Sequence, residues 1–187
     1  MYHYNSKIKQ KNTELGDLND IYIYNCYGGT HSSVLAIAYH LKMLNENREP
    51  TKEEILKLPN FNKLDYKDRG ELFYHGIDQD GNKVYTVGRG NSKILIPGLY
   101  NLTSMLHMQK VLNEKIIFSN TSSTVPLAMT FGGLFSRLLK IDSVGVPLLV
   151  KGAKQSYKNI IQLVNHTVKV AKECKSDVII LDNKEFK

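Results

Sequence analysis

The sequence predicts an α/β fold: a layered, largely parallel sheet with flanking helices and one β-hairpin insertion. Short β-branched and aromatic segments alternate with helical apolar patterns along most of the chain, which is typical of strand–helix–strand units. Asp80-Gly81 marks a tight turn between two strand-like segments. A length of 187 residues fits one domain. We therefore predict a polar leader over residues 1–19 and a single α/β domain over residues 20–187.

The first predicted strand is "DIYIYN", residues 20–25, which is rich in β-branched and aromatic residues. After a glycine-containing loop, apolar residues at positions 34, 37, 41 and 44 have helical spacing. Residues 45–48 are expected to close this helix before Pro50. Thr51 and Glu54 have the spacing of a capping box, which predicts a second helix over "TKEEILKL".

The middle of the chain begins with "ELFYHGI" and "KVYTVG", which we predict to pair as a β-hairpin around Asp80-Gly81. Residues 96–113 are predicted to form a helix, with Pro97 near its start. "EKIIFSN", residues 114–120, is predicted to be a strand, and residues 125–140 a helix. Gly132 and Gly133 within that helix indicate close packing or a break.

Three elements complete the prediction. "GVPLLVKG", residues 145–152, is interpreted as a buried strand because its apolar residues are contiguous. Residues 156–174 have an amphipathic helical pattern, and "DVIIL" is the final strand.

Composition and charge disfavour several functional classes. The net charge is +7, but 21 of the 25 basic residues are lysines scattered along the chain, which is typical of solvated surface rather than of a nucleic-acid interface. The apolar runs are much shorter than the roughly 18 residues that span a membrane, so we expect no membrane insertion and a cytoplasmic protein. Two cysteines and six histidines show no metal-binding spacing, so we expect no metal site.

The loop "NCYGGTHSS", residues 25–33, has the features of an anion site. Ligands of open α/β sheets bind at the carboxyl ends of the strands, and this loop lies between a predicted strand and a predicted helix. Gly28 and Gly29 can adopt positive φ and allow a ligand to approach the backbone. Thr30, Ser32 or Ser33 can cap the helix, whose first N–H groups attract negative charge. Residues 21–45 contain no Asp or Glu to occupy that position, although a tight turn that needs glycine only for packing is also consistent.

Cys26 and His31 are the candidate catalytic residues in this loop. A cysteine at a helix N-terminus is favoured as the nucleophilic thiolate, and His31 can then act as general acid or base. A small buried apolar residue is the alternative interpretation of Cys26. His31 can alternatively donate a hydrogen bond to a bound anion.

Three further candidate ligand-binding residues follow predicted strands. Arg89 lies in "VGRGNSK", Asn120 lies in the hydroxyl-rich segment "SNTSST", residues 119–124, at the end of another predicted strand, and Lys151 follows "GVPLLV". If these strand ends share one edge of the sheet, their side chains converge on Cys26. Each is also consistent with an ordinary polar loop.

The segments "IYIYNCYGGTHSSVLAIAYHL" and "ELFYHGIDQDGNKVYTVGRG" resemble the uncharacterised bacterial family DUF3189, a domain of unknown function. The resemblance covers residues from about 20 to near 170. It implies membership of that family and brings no established activity with it.

Shorter resemblances concern the loop alone. Cys26, Gly29, Ser32 and Ser33 match the phosphocysteine loop of sugar-transport enzyme IIB proteins. Low-molecular-weight tyrosine phosphatases instead need an arginine where this chain has Ser32. A Walker A loop needs a lysine where this chain has His31.

The sequence therefore favours a cytosolic α/β protein that binds a phosphorylated or other anionic small molecule at residues 25–33, and it leaves open whether the protein is an enzyme, such as a transferase or hydrolase. A non-catalytic regulatory or protein-interaction domain is the alternative, and cysteine-based phosphoryl chemistry at Cys26 is a second alternative. The sequence assigns no cofactor and no oligomeric state.

Overall fold

A computed structural model of the chain describes residues 19–187. Its five-stranded sheet has the order β2-β3-β1-β4-β5. All neighbouring strands are parallel except β2 and β3, which form an antiparallel hairpin. The α/β architecture, the largely parallel sheet and the hairpin are confirmed. The predicted leader lies almost wholly outside the described residues.

The strands are β1 (Ile21–Cys26), β2 (Leu72–Ile77), β3 (Lys83–Gly88), β4 (Ile116–Asn120) and β5 (Val178–Leu181). The helices are α1 (Ser32–His40), α2 (Lys52–Lys57), α3 (Leu95–Met108), α4 (Leu127–Gly133) and α5 (Asp142–Glu173). Two 3₁₀ turns, Tyr66–Asp68 and Ser122–Thr124, and a π-helical turn, Leu134–Leu138, complete the elements.

Strand β1 is the centre of the sheet. It pairs with β3 on one side and β4 on the other, and five of its six residues are buried. A strand that is covered on both faces needs a nearly continuous apolar sequence, which "IYIYNC" provides. The loops after β1, β3 and β4 therefore lie side by side at one edge, which we call the carboxyl edge.

The helices cover the sheet unequally. Helices α1, α4 and α5 pack on one face around the larger core, which includes Tyr22, Tyr24, Ile37 and Leu149. Helix α3 lies on the other face, over a smaller core that includes Ile23 and Phe118. Two-sided coverage is what a mostly parallel sheet requires.

The predicted strand "GVPLLVKG" is wrong, because these residues belong to α5. The helix tolerates Pro147 in its sixth position, at the loss of one main-chain hydrogen bond. Gly152 makes close packing on α4 possible, since a Cβ there would lie 2.6 Å from the main-chain nitrogen of Met129. Gly145 does the same for the π-helical turn, since a Cβ there would lie 2.5 Å from the main-chain nitrogen of Ser136. A short apolar run alone does not distinguish a buried strand from a buried helix.

Other predicted bounds also change. Helix α1 ends at His40, earlier than predicted, because Lys42 adopts a positive φ of 56°; Leu44 is nevertheless buried beyond the helix. The helix predicted over residues 125–140 is α4 followed by the π-helical turn. Close packing at Gly132 is confirmed, since a Cβ there would lie 2.6 Å from the main-chain nitrogen of Leu149.

Candidate functional site

The glycines of the β1–α1 loop allow two stretches of main chain to touch. Gly29 has a φ of +69°, and a Cβ there would lie 2.6 Å from the nitrogen of Gly88, at the end of β3. A Cβ at Gly88 would lie 2.8 Å from the carbonyl oxygen of Gly28. Positive φ is thus observed at Gly29 and not at Gly28. Packing against β3 is sufficient to explain Gly29, whereas a Cβ at Gly28 would meet only Cγ2 of Thr30, at 3.5 Å.

Helix α1 begins without the usual polar cap. His31 is the N-cap residue, it makes no capping hydrogen bond with its side chain, and the first turn contains no acidic residue. The N–H groups of the first helical turn have no partner within the helix. The partial positive charge of the helix N-terminus is therefore not balanced by a nearby acidic residue of its own helix.

The loop hydroxyls are engaged within the protein. Thr30 Oγ1 accepts a hydrogen bond from the main-chain N–H of Lys63 at 3.1 Å. Ser32 Oγ lies 2.9 Å from Thr121 Oγ1, in the loop after β4. Ser33 Oγ lies 3.3 Å from the sulfur of Cys26. These side chains position the loop, so a ligand would meet mainly the main-chain N–H groups.

Cys26 ends β1 and is only 5% exposed. Its sulfur accepts a hydrogen bond from the N–H of Gly29 at 3.1 Å. A donor of this kind stabilises negative charge on sulfur, but burial restricts access to an attacking or incoming group.

His31 is held by a chain of hydrogen bonds that runs to a carboxylate. Ser136 Oγ donates to Asp142 Oδ1, so it accepts from Asn62 Nδ2, at 2.7 Å. The oxygen of the Asn62 amide therefore faces His31 Nε2, at 3.1 Å. This order places the proton of neutral His31 on Nε2 and leaves Nδ1 as an acceptor.

The pKa of His31 is lowered to about 4, chiefly by burial; the hydrogen bond with Asn62 opposes this effect and the nearby Arg137 guanidinium adds to it. His31 is therefore neutral at pH 7. In this arrangement Nδ1 is an acceptor, which suits a general base better than a donor to an anion.

Arg89 follows β3 and reaches the loop after β4. Its Nη2 donates to Ser122 Oγ at 3.1 Å, and its main-chain N–H donates to the carbonyl of Cys26 at 2.9 Å. Asn120 ends β4, and its side-chain oxygen accepts from the N–H of Ser122 at 3.0 Å. The structure thus brings the Arg89 and Asn120 segments together with the end of β1.

Lys151 does not join this group. Lys151 lies on α5, because the strand that was predicted to precede it is part of that helix. Its side chain is exposed.

Arg69 also lies at the carboxyl edge, and no sequence pattern pointed to it. Its guanidinium lies between two rings, 4.4 Å from the centre of Tyr27 and 4.2 Å from that of Tyr66. Strand β2 is antiparallel to its neighbour β3, so the residues before β2 lie at the carboxyl edge. The N–H of Gly70 donates to the carbonyl of Gly88 at 2.8 Å. The predicted hairpin was the sequence feature that could have placed the residues before β2 at the carboxyl edge.

The four arginines differ in their counterions. Arg48 pairs with Glu54, and Arg137 pairs with Asp65. Within residues 19–187, Arg69 and Arg89 form no ion pair with a carboxylate. Both lie at the carboxyl edge: a Cβ at Gly90, the residue after Arg89, would lie 3.1 Å from Cδ of Arg69.

A concave surface lies at the opposite edge of the sheet from the carboxyl edge. This cleft of about 400 Å³ is lined by His40, Asp78 and several lysines. His40 Nε2 lies 2.9 Å from Asp78 Oδ2, and Nδ1 lies 2.8 Å from the hydroxyl of Tyr24. Both ring nitrogens are satisfied, so the geometry gives this histidine a structural role.

Two absences concern the described residues only. Within residues 19–187, no three His, Cys, Asp or Glu side chains cluster as metal ligands would. In the same part of the chain, no helix combines the length and apolar character needed to cross a bilayer.

The fold and the carboxyl edge define an α/β protein with a glycine-containing strand–loop–helix at its central strand. The chain belongs to the family described as "Protein of unknown function (DUF3189)", whose model matches residues 21–169. This confirms the resemblance drawn from the sequence. No curated protein matches the chain, and no solved structure matches it.

Proposed function

We propose that the protein binds a phosphorylated or otherwise anionic small molecule at the carboxyl edge, between the N-terminus of α1 and the loops after β3 and β4. One observation carries the proposal: Arg69 and Arg89 both lie at this edge without a carboxylate partner among residues 19–187, whereas the other two arginines are paired. Arginine is suited to binding phosphate through two parallel hydrogen bonds.

The N-terminus of α1 also favours a negatively charged ligand. The first turn of the helix has no acidic residue, so the attraction of the helix N-terminus for anions adds to that of the two guanidinium groups. The ligand would contact main-chain N–H groups of residues 28–33 and the two arginines.

If the protein also acts as a transferase or hydrolase, His31 is the candidate base. Its Nδ1 is left unprotonated by the hydrogen bond between Nε2 and Asn62, and its lowered pKa keeps the ring neutral at pH 7.

Thermal unfolding in sodium pyrophosphate, against sodium chloride of equal ionic strength, tests the proposal. A ligand at ten times its Kd stabilises the native state by about 1.4 kcal/mol, which raises Tm by about 3–5 °C for a chain of this size. Arg89→Gln and Arg69→Gln are expected to reduce the shift. Arg48→Gln removes the same charge from an arginine paired with Glu54 and is the matched control. Equal shifts in all three variants, or none in the wild type, would contradict the proposal.

A protein-interaction role has one observation in its favour. Leu127, Phe131, Leu134 and Leu138 recur at helical spacing, and all four are exposed. An outward apolar stripe of this kind marks contact surfaces in many proteins. If the stripe pairs two copies, the wild type sediments as a dimer and Phe131→Ser as a monomer. A monomeric wild type at high concentration would exclude that pairing.

A further inference from the structure

We infer that the anion carries a planar heteroaromatic ring, as in a nucleotide, and that the Tyr27–Arg69–Tyr66 stack binds this ring. The inference rests on the proposed anion site and names its ligand class. The guanidinium of Arg69 lies 4.4 Å and 4.2 Å from the two ring centres. A stack of alternating aromatic and guanidinium planes is the surface on which bases stack.

The outer end of the stack is open. Tyr66 is 79% exposed although one face of its ring contacts Arg69. Tyr27, at the inner end, is 48% exposed. Only the ring faces that touch the Arg69 guanidinium hold it in place. The other face of the Tyr66 ring is therefore free to bind a ligand. A base stacked on it would extend the column by one plane.

The stack and the anion site share main chain. Tyr27 directly precedes the loop glycines, and its carbonyl accepts from the N–H of Gly90 at 2.8 Å. Gly90 follows Arg89, and a Cβ at Gly90 would lie 3.1 Å from Cδ of Arg69. A ligand whose phosphate lies at the start of α1 therefore has the stack beside it. The stack offers faces rather than base-specific hydrogen bonds, so we expect weak discrimination among bases.

Calorimetric titration with ribose 5-phosphate and with AMP tests the inference, since the two compounds differ by the base. We expect AMP to bind about tenfold more tightly, the order of one aromatic stacking contact. Tyr66→Leu keeps apolar surface but removes the ring, and is expected to reduce AMP affinity to that of ribose 5-phosphate. Ribose 5-phosphate affinity should not change in this variant.

Tyr74→Leu is the control, because Tyr74 is 54% exposed and packs against Tyr85 rather than Arg69. It should retain the preference for AMP. Equal affinities of AMP and ribose 5-phosphate in the wild type, or a preference that survives in Tyr66→Leu, would overturn the ring subsite and leave the anion site standing. Binding of neither compound, with no thermal shift in pyrophosphate, would overturn the anion site itself.

Discussion

Acidification is expected to destabilise the protein through His31. Burial lowers the pKa of this side chain from its ordinary 6.5 to about 4. Between these values the unfolded chain binds a proton that the folded chain does not, so stability falls as the pH falls. The effect begins below pH 6.5 and is complete near pH 4.

The magnitude follows from the two pKa values. A pKa difference of one corresponds to about 1.4 kcal/mol, so the full effect is about 3 kcal/mol. Between about pH 7.5 and about pH 5 the linkage relation gives a loss of about 2 kcal/mol. With a urea m-value of about 2 kcal/mol/M, the unfolding midpoint should fall by about 1 M from this group alone.

Urea unfolding of the wild type and of His31→Gln at both pH values measures this contribution. His40 and His75 also have pKa values lowered by burial, but both remain in the variant, so their effects cancel in the comparison. The wild-type midpoint should fall by about 1 M more than that of the variant. If the two midpoints fall equally, His31 is not the buried neutral base described above.

Three other predictions concern the loop, the cysteines and α3. Gly29→Ala should destabilise the protein by more than Gly70→Ala in denaturant unfolding. Both glycines have positive φ, but a Cβ at Gly29 would also lie 2.6 Å from β3, whereas Gly70 has open space. Equal losses of stability in the two variants would mean that the close approach of Gly29 to β3 is unimportant. Iodoacetamide should label Cys174 before Cys26, because hydrogen bonds from Ser176 lower the pKa of Cys174, whereas Cys26 is buried. Peptide mapping measures the order of labelling, and a result with Cys26 labelled first would refute the prediction. Gly98→Ala should raise stability by about 0.5–1 kcal/mol, since Gly98 lies in α3 with nothing within 4 Å of its Cβ position. A lower Tm in this variant would show that the space beside Gly98 is not open.

Local sequence signals predicted the elements whose structure is determined locally. The capping box of Thr51 and Glu54 is confirmed, and so is the hairpin around Asp80-Gly81. The strand "DIYIYN" and the acid-free start of α1 were also readable from composition. These features depend on neighbours within a few residues.

Long-range contacts decided the remainder. "GVPLLVKG" is helical because Gly145 and Gly152 allow close contact with the preceding helical segments, and sequence spacing does not show which segment will pack there. Lys151 was misplaced for the same reason. Arg69 was missed because its position between two rings, without a carboxylate partner among residues 19–187, is revealed only by the folded chain.

The reversed direction of β2 determines where the chain tolerates insertions. The polypeptide enters this strand beside Arg69 and leaves it at the far edge, where Asp80-Gly81 forms the hairpin turn. Extra residues in that turn would project away from the guanidinium groups. A single residue added between Tyr66 and Leu72 would instead shift Arg69 out of register with Gly90, so length should vary among homologous chains at the turn and stay fixed before the strand.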